Sequence, residues 1–117
     1  MIDFCDKDVY LACGPTDLRK SIDGLCSIVE DIFSYDVYGL SVFVFCNKSR
    51  NRIKILEWDG DGFWLHLKRI EKGRFDWPSG DGGETMPLTQ KELEILIGGT
   101  SLLSKLKRRN VFRADVA

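Results

Sequence analysis

Apolar residues change their spacing twice along this chain. Val9–Ala12 is a short apolar run that ends in Cys13-Gly14-Pro15, a strong breaker, so the pattern predicts a first strand and a turn. Leu18, Ile22, Leu25, Val29 and Ile32 then recur at a spacing that places them on one face of a helix. Thr16 stands where an N-cap is expected, and Asp17 falls in the first turn, where the positive end of the helix dipole favours it. Gly24 should weaken this helix by about 1 kcal/mol relative to alanine. A close approach by another backbone would account for a glycine there.

From Gly39 onward the period falls to two. Val42–Cys46, Arg52–Trp58 and Phe63–Arg69 are β-rich runs joined by turn segments, which predicts an antiparallel meander. Matching apolar faces in the second hairpin favours a short odd-numbered turn over Asp59–Asp61, pairing Ile55 with Leu65 and Ile53 with Leu67. That register leaves Arg52, Lys54, Trp58, Trp64, His66 and Lys68 together on the opposite face. Phe75–Trp77 reads as a short edge strand before Pro78, and Ser79–Glu84 as a flexible acidic loop. Thr89-Gln90-Lys91-Glu92 is a capping box, with Leu88 able to staple to Leu93, so a helix is expected over Gln90–Ile97 and a stop at Gly98-Gly99. The remaining residues read as a further short helix fraying into a basic tail from about residue 105. The fold expected is α+β: a small antiparallel β-meander sheet packed against an N-terminal helix, with a short C-terminal helix, in one domain spanning 1–117.

Composition adjusts this picture. At 117 residues and 44% hydrophobic content, a domain buries roughly two-thirds of the surface its unfolded chain exposes and needs no staple. Four cysteines lack C-x-x-C spacing and read as reduced structural thiols. Apolar runs such as Val42–Cys46 are far shorter than the ~18 residues of a membrane span, and Asp3, Asp6 and Asp8 contradict a secretory signal, so a cytoplasmic location without membrane contact is expected. The net charge of −1 excludes bulk electrostatic coating of nucleic acid. It is nevertheless a cancellation. Residues 48–75 hold eight basic and four acidic groups and residues 105–117 five and one, against three and eight in 1–47 and one and five in 76–104.

Candidate chemistry follows from these blocks. No G-x-S-x-G elbow, P-loop or H-E-x-x-H occurs. The single histidine, His66, lies in a strand among aliphatic residues, where a structural role is the commoner one. Asp59-Gly60-Asp61-Gly62 resembles part of a calcium loop but lacks its later glutamate, and DG pairs are what hairpin turns prefer. No cofactor is expected. An alternative enzyme reading assembles Asp17, Asp59 and Asp61 into the magnesium site of a nuclease. The basic block offers Lys48, Arg50, Arg52, Lys54, Lys68, Arg69, Lys72 and Arg74, with Trp58 and Trp64 interleaved, to track phosphates or stack on unpaired bases. The competing readings are a solvated sheet face with core tryptophans and a scaffold whose tryptophan-bearing face is a protein interface.

The segment Val9–Leu25, containing Gly14-Pro15-Thr16-Asp17-Leu18-Arg19-Lys20, closely resembles the N-terminal signature of the TnpB (Orf2-like) accessory proteins of IS66-type bacterial insertion sequences. Phe43–Phe45, Asn51–Trp64, Lys68–Pro78 and the Leu88-Thr89 helix start resemble the same family in order and spacing. Members usually carry more arginine in the loop where this chain has Cys46–Arg50, and often an aromatic residue at the place of Glu57. The resemblance implies an accessory to DNA transposition that works with the transposase of the same element, and it implies no known reaction; the two basic blocks add the expectation of a non-enzymatic module that contacts DNA at the element ends, the transposase, or both. The resemblance transfers no catalytic residue and leaves the oligomeric state open. Its matching positions are Gly14, Thr16, Asp17, Arg19 and Lys20 at the turn, and the basic hairpin.

Overall fold

A computed structural model describes Phe4 and residues 6–98. Strands β1 (Asp8–Ala12), β2 (Ser41–Cys46), β3 (Arg52–Trp58), β4 (Phe63–Arg69) and β5 (Thr85–Leu88) form one sheet in the order β4-β3-β2-β1-β5. Helices α1 (Ile22–Ser27) and α2 (Gln90–Ile97) complete the α+β fold that the sequence pattern predicts. The meander β2-β3-β4 is antiparallel, as expected. β1 departs from the purely antiparallel sheet: it pairs parallel with β2, and β5 closes antiparallel on its other side.

Alternation along the strands divides the core in two. Val9, Leu11, Val42, Val44 and Ile55 face Leu93 and Leu96 of α2. Ala12, Phe43, Phe45 and Leu56 face Leu25 of α1 and Val29 of the helical turn that follows it. The sheet is therefore covered on both sides, which explains why β2 is buried continuously from Val42 to Cys46. The same two-sidedness overturns the register expected for the second hairpin. Leu56 pairs with Leu65 and Trp58 with Phe63 on the α1 side, while Ile55 meets His66 and Ile53 meets Lys68 on the α2 side. The connecting turn is Asp59–Gly62, closed by the Asp59 N–H on the Gly62 carbonyl at 3.0 Å. Arg52, Lys54 and Trp58 thus lie on one face, and Trp64, His66 and Lys68 on the other.

Three local expectations also change. The first helix starts at Ile22 behind an uncapped Ser21, and Thr16 is not its cap. Residues 15–20 are instead drawn onto the end of β2, where the Thr16 N–H donates to the Cys46 carbonyl at 2.8 Å. Past Ser27 the chain widens into a π-helical turn, Ile28–Ile32, closed by the Phe33 N–H on the Ile28 carbonyl at 3.1 Å. The wider turn breaks the 3.6-residue period, so Ile32 is 54% exposed while Phe33 stacks along Phe45. The space at Gly24 is taken by Lys20, whose Cβ would lie 3.0 Å from an added methyl, rather than by another backbone.

Phe75–Trp77 forms no strand. Phe75 is fully buried against Cys46 and Ile53, and the Trp77 indole donates to the Ala12 carbonyl at 2.9 Å. Residues 78–84 are tied to the end of β1 by Cys13 N–H on Glu84 and Gly14 N–H on Pro78, both at 2.9 Å. The two backbones cross so closely that a Cβ on Gly14, at φ +77°, would sit 2.4 Å from the Gly80 carbonyl oxygen. The capping box forms in both directions, Thr89 N–H to Glu92 Oε1 at 2.9 Å and Glu92 N–H to Thr89 Oγ1 at 3.0 Å, and Leu88 and Leu93 share the α2-side core. The basic tail and the further helix lie outside the described residues. Among the described residues no helix is long and apolar enough to cross a membrane.

Candidate nucleic-acid interface

Two loops meet at the end of the sheet where β2 and β4 finish and β3 begins. The β2–β3 loop is a rigid unit: the Asn47 side-chain oxygen accepts the N–H groups of Asn51 and Arg52, both at 3.0 Å, and its amide donates to Asn51 Oδ1 at 2.7 Å. Arg50 sits in this loop at φ 57°, a left-handed conformation that costs a non-glycine residue about 1–2 kcal/mol. The segment after β4 is fastened to it by Ile70 N–H on the Asn51 carbonyl at 2.9 Å and Phe75 N–H on the Arg50 carbonyl at 2.6 Å. The segment that carries Lys72 and Arg74 is thereby fastened to the one that carries Lys48, Arg50 and Arg52. Arg52 also faces Arg69 directly across β3 and β4, a like-charge pair that a sheet ordinarily avoids. Among the described residues Lys48, Arg52, Lys72 and Arg74 form no ion pair, whereas Arg69 binds Glu71 at 2.8 Å.

The turn at residues 15–20 borders the same end, a convergence that sequence spacing does not reveal. Between it and the β2–β3 loop lies an open concavity of about 620 Å³, lined by Thr16, Asp17, Arg19, Lys48, Ser49 and Arg52 among others. Asp17 is committed locally. Its carboxylate accepts the Arg19 guanidinium at 2.8 Å and the Arg19 backbone N–H at 3.0 Å, and these bonds hold its pKa well below the usual carboxylate range.

Two of the sequence-selected cations are engaged in the fold itself. Lys54 lies on the α1 side, where its ammonium donates to the carbonyls of Leu18 at 2.7 Å and Lys20 at 3.0 Å, so it pins the 15–20 turn to β3. Lys68, on the other face, donates to the Ile97 carbonyl at the end of α2, where the helix dipole favours a cation. The tryptophans are separated as well. Trp58 is half-buried, its ring centroid 5.0 Å from Tyr38 and 4.9 Å from Phe63. Trp64 is 56% exposed, nearly parallel to His66, and its indole donates to Asp59 at 2.6 Å. Glu57 faces Trp64 across the hairpin and holds both Lys7 at 2.8 Å and His66 at 3.2 Å. Trp64 is therefore tied to the Asp59 carboxylate and set opposite Glu57, whose charge Lys7 balances.

The nuclease alternative fails on geometry. Asp59 and Asp61 share one turn. There Asp61 hydrogen bonds and the Trp64 indole hold Asp59 below its ordinary pKa, and the Asp59 carboxylate raises Asp61. Asp17 stands at the other end of β3, about 20 Å away along a seven-residue strand. The three cannot share metal ions ~4 Å apart. Among the described residues no group of three or more His, Cys, Asp or Glu side chains is arranged to hold a metal. Cys46 is buried beneath the basic loop, and burial pushes its thiol up to about 12.

Comparison with known proteins gives a consistent answer. A model of the family described as IS66 Orf2 like protein matches residues 7–107. The uncharacterized protein y4hO of Sinorhizobium fredii (strain NBRC 101917 / NGR234) is 33% identical over 91 residues, covering 78% of each chain. The uncharacterized protein y4jC of the same strain is 30% identical over 105 residues, covering 90% of this chain and 88% of its own. No solved structure matches.

Proposed function

Because this chain belongs to the IS66 Orf2-like family, we propose that it is an accessory protein of insertion-sequence transposition that acts with the transposase of its element by gripping DNA phosphates at the basic end of its sheet. The observation that supports this reading is that the β2–β3 loop and start of β3, with Lys48 and Arg52, and the segment after β4, with Lys72 and Arg74, are fastened together by backbone hydrogen bonds, and that these four cations form no ion pair among the described residues. Such a rigid cationic rim meets a polyanion without paying to order its loops first. A near-neutral protein with one basic end binds phosphate locally and avoids indiscriminate coating. Phosphate contacts of this kind supply grip and orientation on the duplex.

The test is fluorescence anisotropy on element-end duplexes across a salt series, comparing the native chain with a variant carrying alanine at Lys48, Arg52, Lys72 and Arg74. Every phosphate that the variant no longer neutralises should lower the slope of log K against log salt by about 0.9. An unchanged slope would refute phosphate binding at this rim. Absence of DNA binding by the native chain, together with capture of its own transposase, would assign it a protein-adaptor role instead.

A further inference from the structure

The two edges of the sheet are built differently. β5 has four residues, one of them Pro87, which has no N–H and blunts the edge against further pairing. β4 has seven residues without proline or glycine, and its ladder with β3 runs unbroken from Arg52↔Arg69 to Trp58↔Phe63. Among the described residues no strand pairs with its outer side. Its two most exposed large apolar side chains, Trp64 at 56% and Leu67 at 60%, point to opposite faces.

We propose that β4 pairs antiparallel with β4 of a second copy of this chain about a two-fold axis at Leu65, joining two five-stranded sheets into one. The sequence of the strand is self-complementary in that register. Leu65 meets the partner's Leu65, Phe63 meets the partner's Leu67, and Trp64 meets the partner's His66, so apolar side chains match on the α1 side and aromatic rings on the other. Centring the axis on His66 would instead set Phe63 against an arginine and Trp64 against a lysine. A slip of one residue would exchange the two faces. Charge selects the same direction. The strand follows Asp59 and Asp61 and ends in Lys68 and Arg69, so antiparallel pairing brings Asp61 beside the partner's Arg69 at both ends of the interface, whereas parallel pairing would stack like on like. None of Lys48, Arg52, Lys72 and Arg74 lies on β4, so substitutions on β4 test dimerisation without removing a rim cation.

Sedimentation equilibrium of the full chain across the micromolar range should report twice the 13.4 kDa protomer mass. Leu67→Lys, at an exposed side chain, should return the monomer with an unchanged circular dichroism spectrum. Arg69→Asp should weaken association by about tenfold by setting carboxylates against each other, and adding Asp61→Arg should restore it. A native chain that stays monomeric throughout, or a dimer insensitive to all of these substitutions, would overturn the proposal.

Discussion

Lys54 separates a structural cation from a DNA-contacting one, and Lys54→Met tests the distinction because it keeps the aliphatic stem and deletes the ammonium. That ammonium donates to the carbonyls of Leu18 and Lys20 at 2.7 and 3.0 Å. Removing a hydrogen bond from a charged donor ordinarily costs about 1.5–3 kcal/mol. Both carbonyls lie on a turn whose Arg19 and Lys20 side chains are exposed, so water replaces part of each bond, and about 1 kcal/mol apiece is expected, about 2 kcal/mol in all. With an unfolding entropy of about 2.1 cal/mol/K per residue, about 0.25 kcal/mol/K for this chain, the melting temperature should fall by about 8 °C. Thermal melts followed by circular dichroism and urea titration at fixed m-value measure the shift. Anisotropy on the same variant should show the salt slope of the native chain. A melting temperature within about 2 °C of native, combined with a slope lowered by about 0.9, would refute the structural assignment and make Lys54 a phosphate contact.

Phe75→Ala, at a fully buried ring beneath the basic loop, should cost about 3–5 kcal/mol in urea titration, with Phe75→Leu costing less than half of that; equal losses would show that the ring does not fill this site. Gly14→Ala forces a side chain into both a left-handed backbone and the Gly80 carbonyl, and should lower stability by at least about 2 kcal/mol; a native-like melt would mean that the crossing of the two segments relaxes freely. Burial raises the Cys46 thiol from 9.0 to about 12, and it raises Cys13 and Cys26 in the same direction. A group whose pKa is higher folded than unfolded stabilises the fold fully below its unfolded value, so urea midpoints should hold to about pH 9 and decline above it, and Cys46→Ala should flatten that decline.

Local chemistry is legible in the chain, and contacts between distant segments are not. The capping box at Thr89 and Glu92 is a four-residue device, and it forms as its spacing requires. The strand spans at Arg52–Trp58 and Phe63–Arg69 follow from β-rich runs between turns. Their register does not, because matching apolar faces presumes a sheet with one wet side, and β3 buries Ile53 and Ile55 on one face and Leu56 on the other. The parallel pairing of β1 with β2 depends on a crossover whose route leaves no mark in either strand. The first helix departs from its pattern at both ends: the turn before it is claimed by Cys46 and Lys54, and its last turn widens so that Phe33 replaces Ile32 against the core. At the candidate interface, the basic residues can be counted from the sequence. Which of them the fold occupies cannot, since Lys54 and Lys68 are held by carbonyls 34 and 29 positions away.

The position of β1 has a consequence for how the chain is made. Leu11 is flanked by Val44 on one side and Met86 on the other, so β1, synthesised before both of its neighbours, waits for each of them. The β2-β3-β4 meander pairs with itself as it emerges, through short loops that close at little entropic cost. Until residues 85–88 follow, Val9, Leu11 and Ala12 have no complete cover, and one row of β1 backbone groups stays open to any other nascent strand. The interval of greatest aggregation risk for this protein is therefore set by the order of its strands, not by the stability of the finished fold.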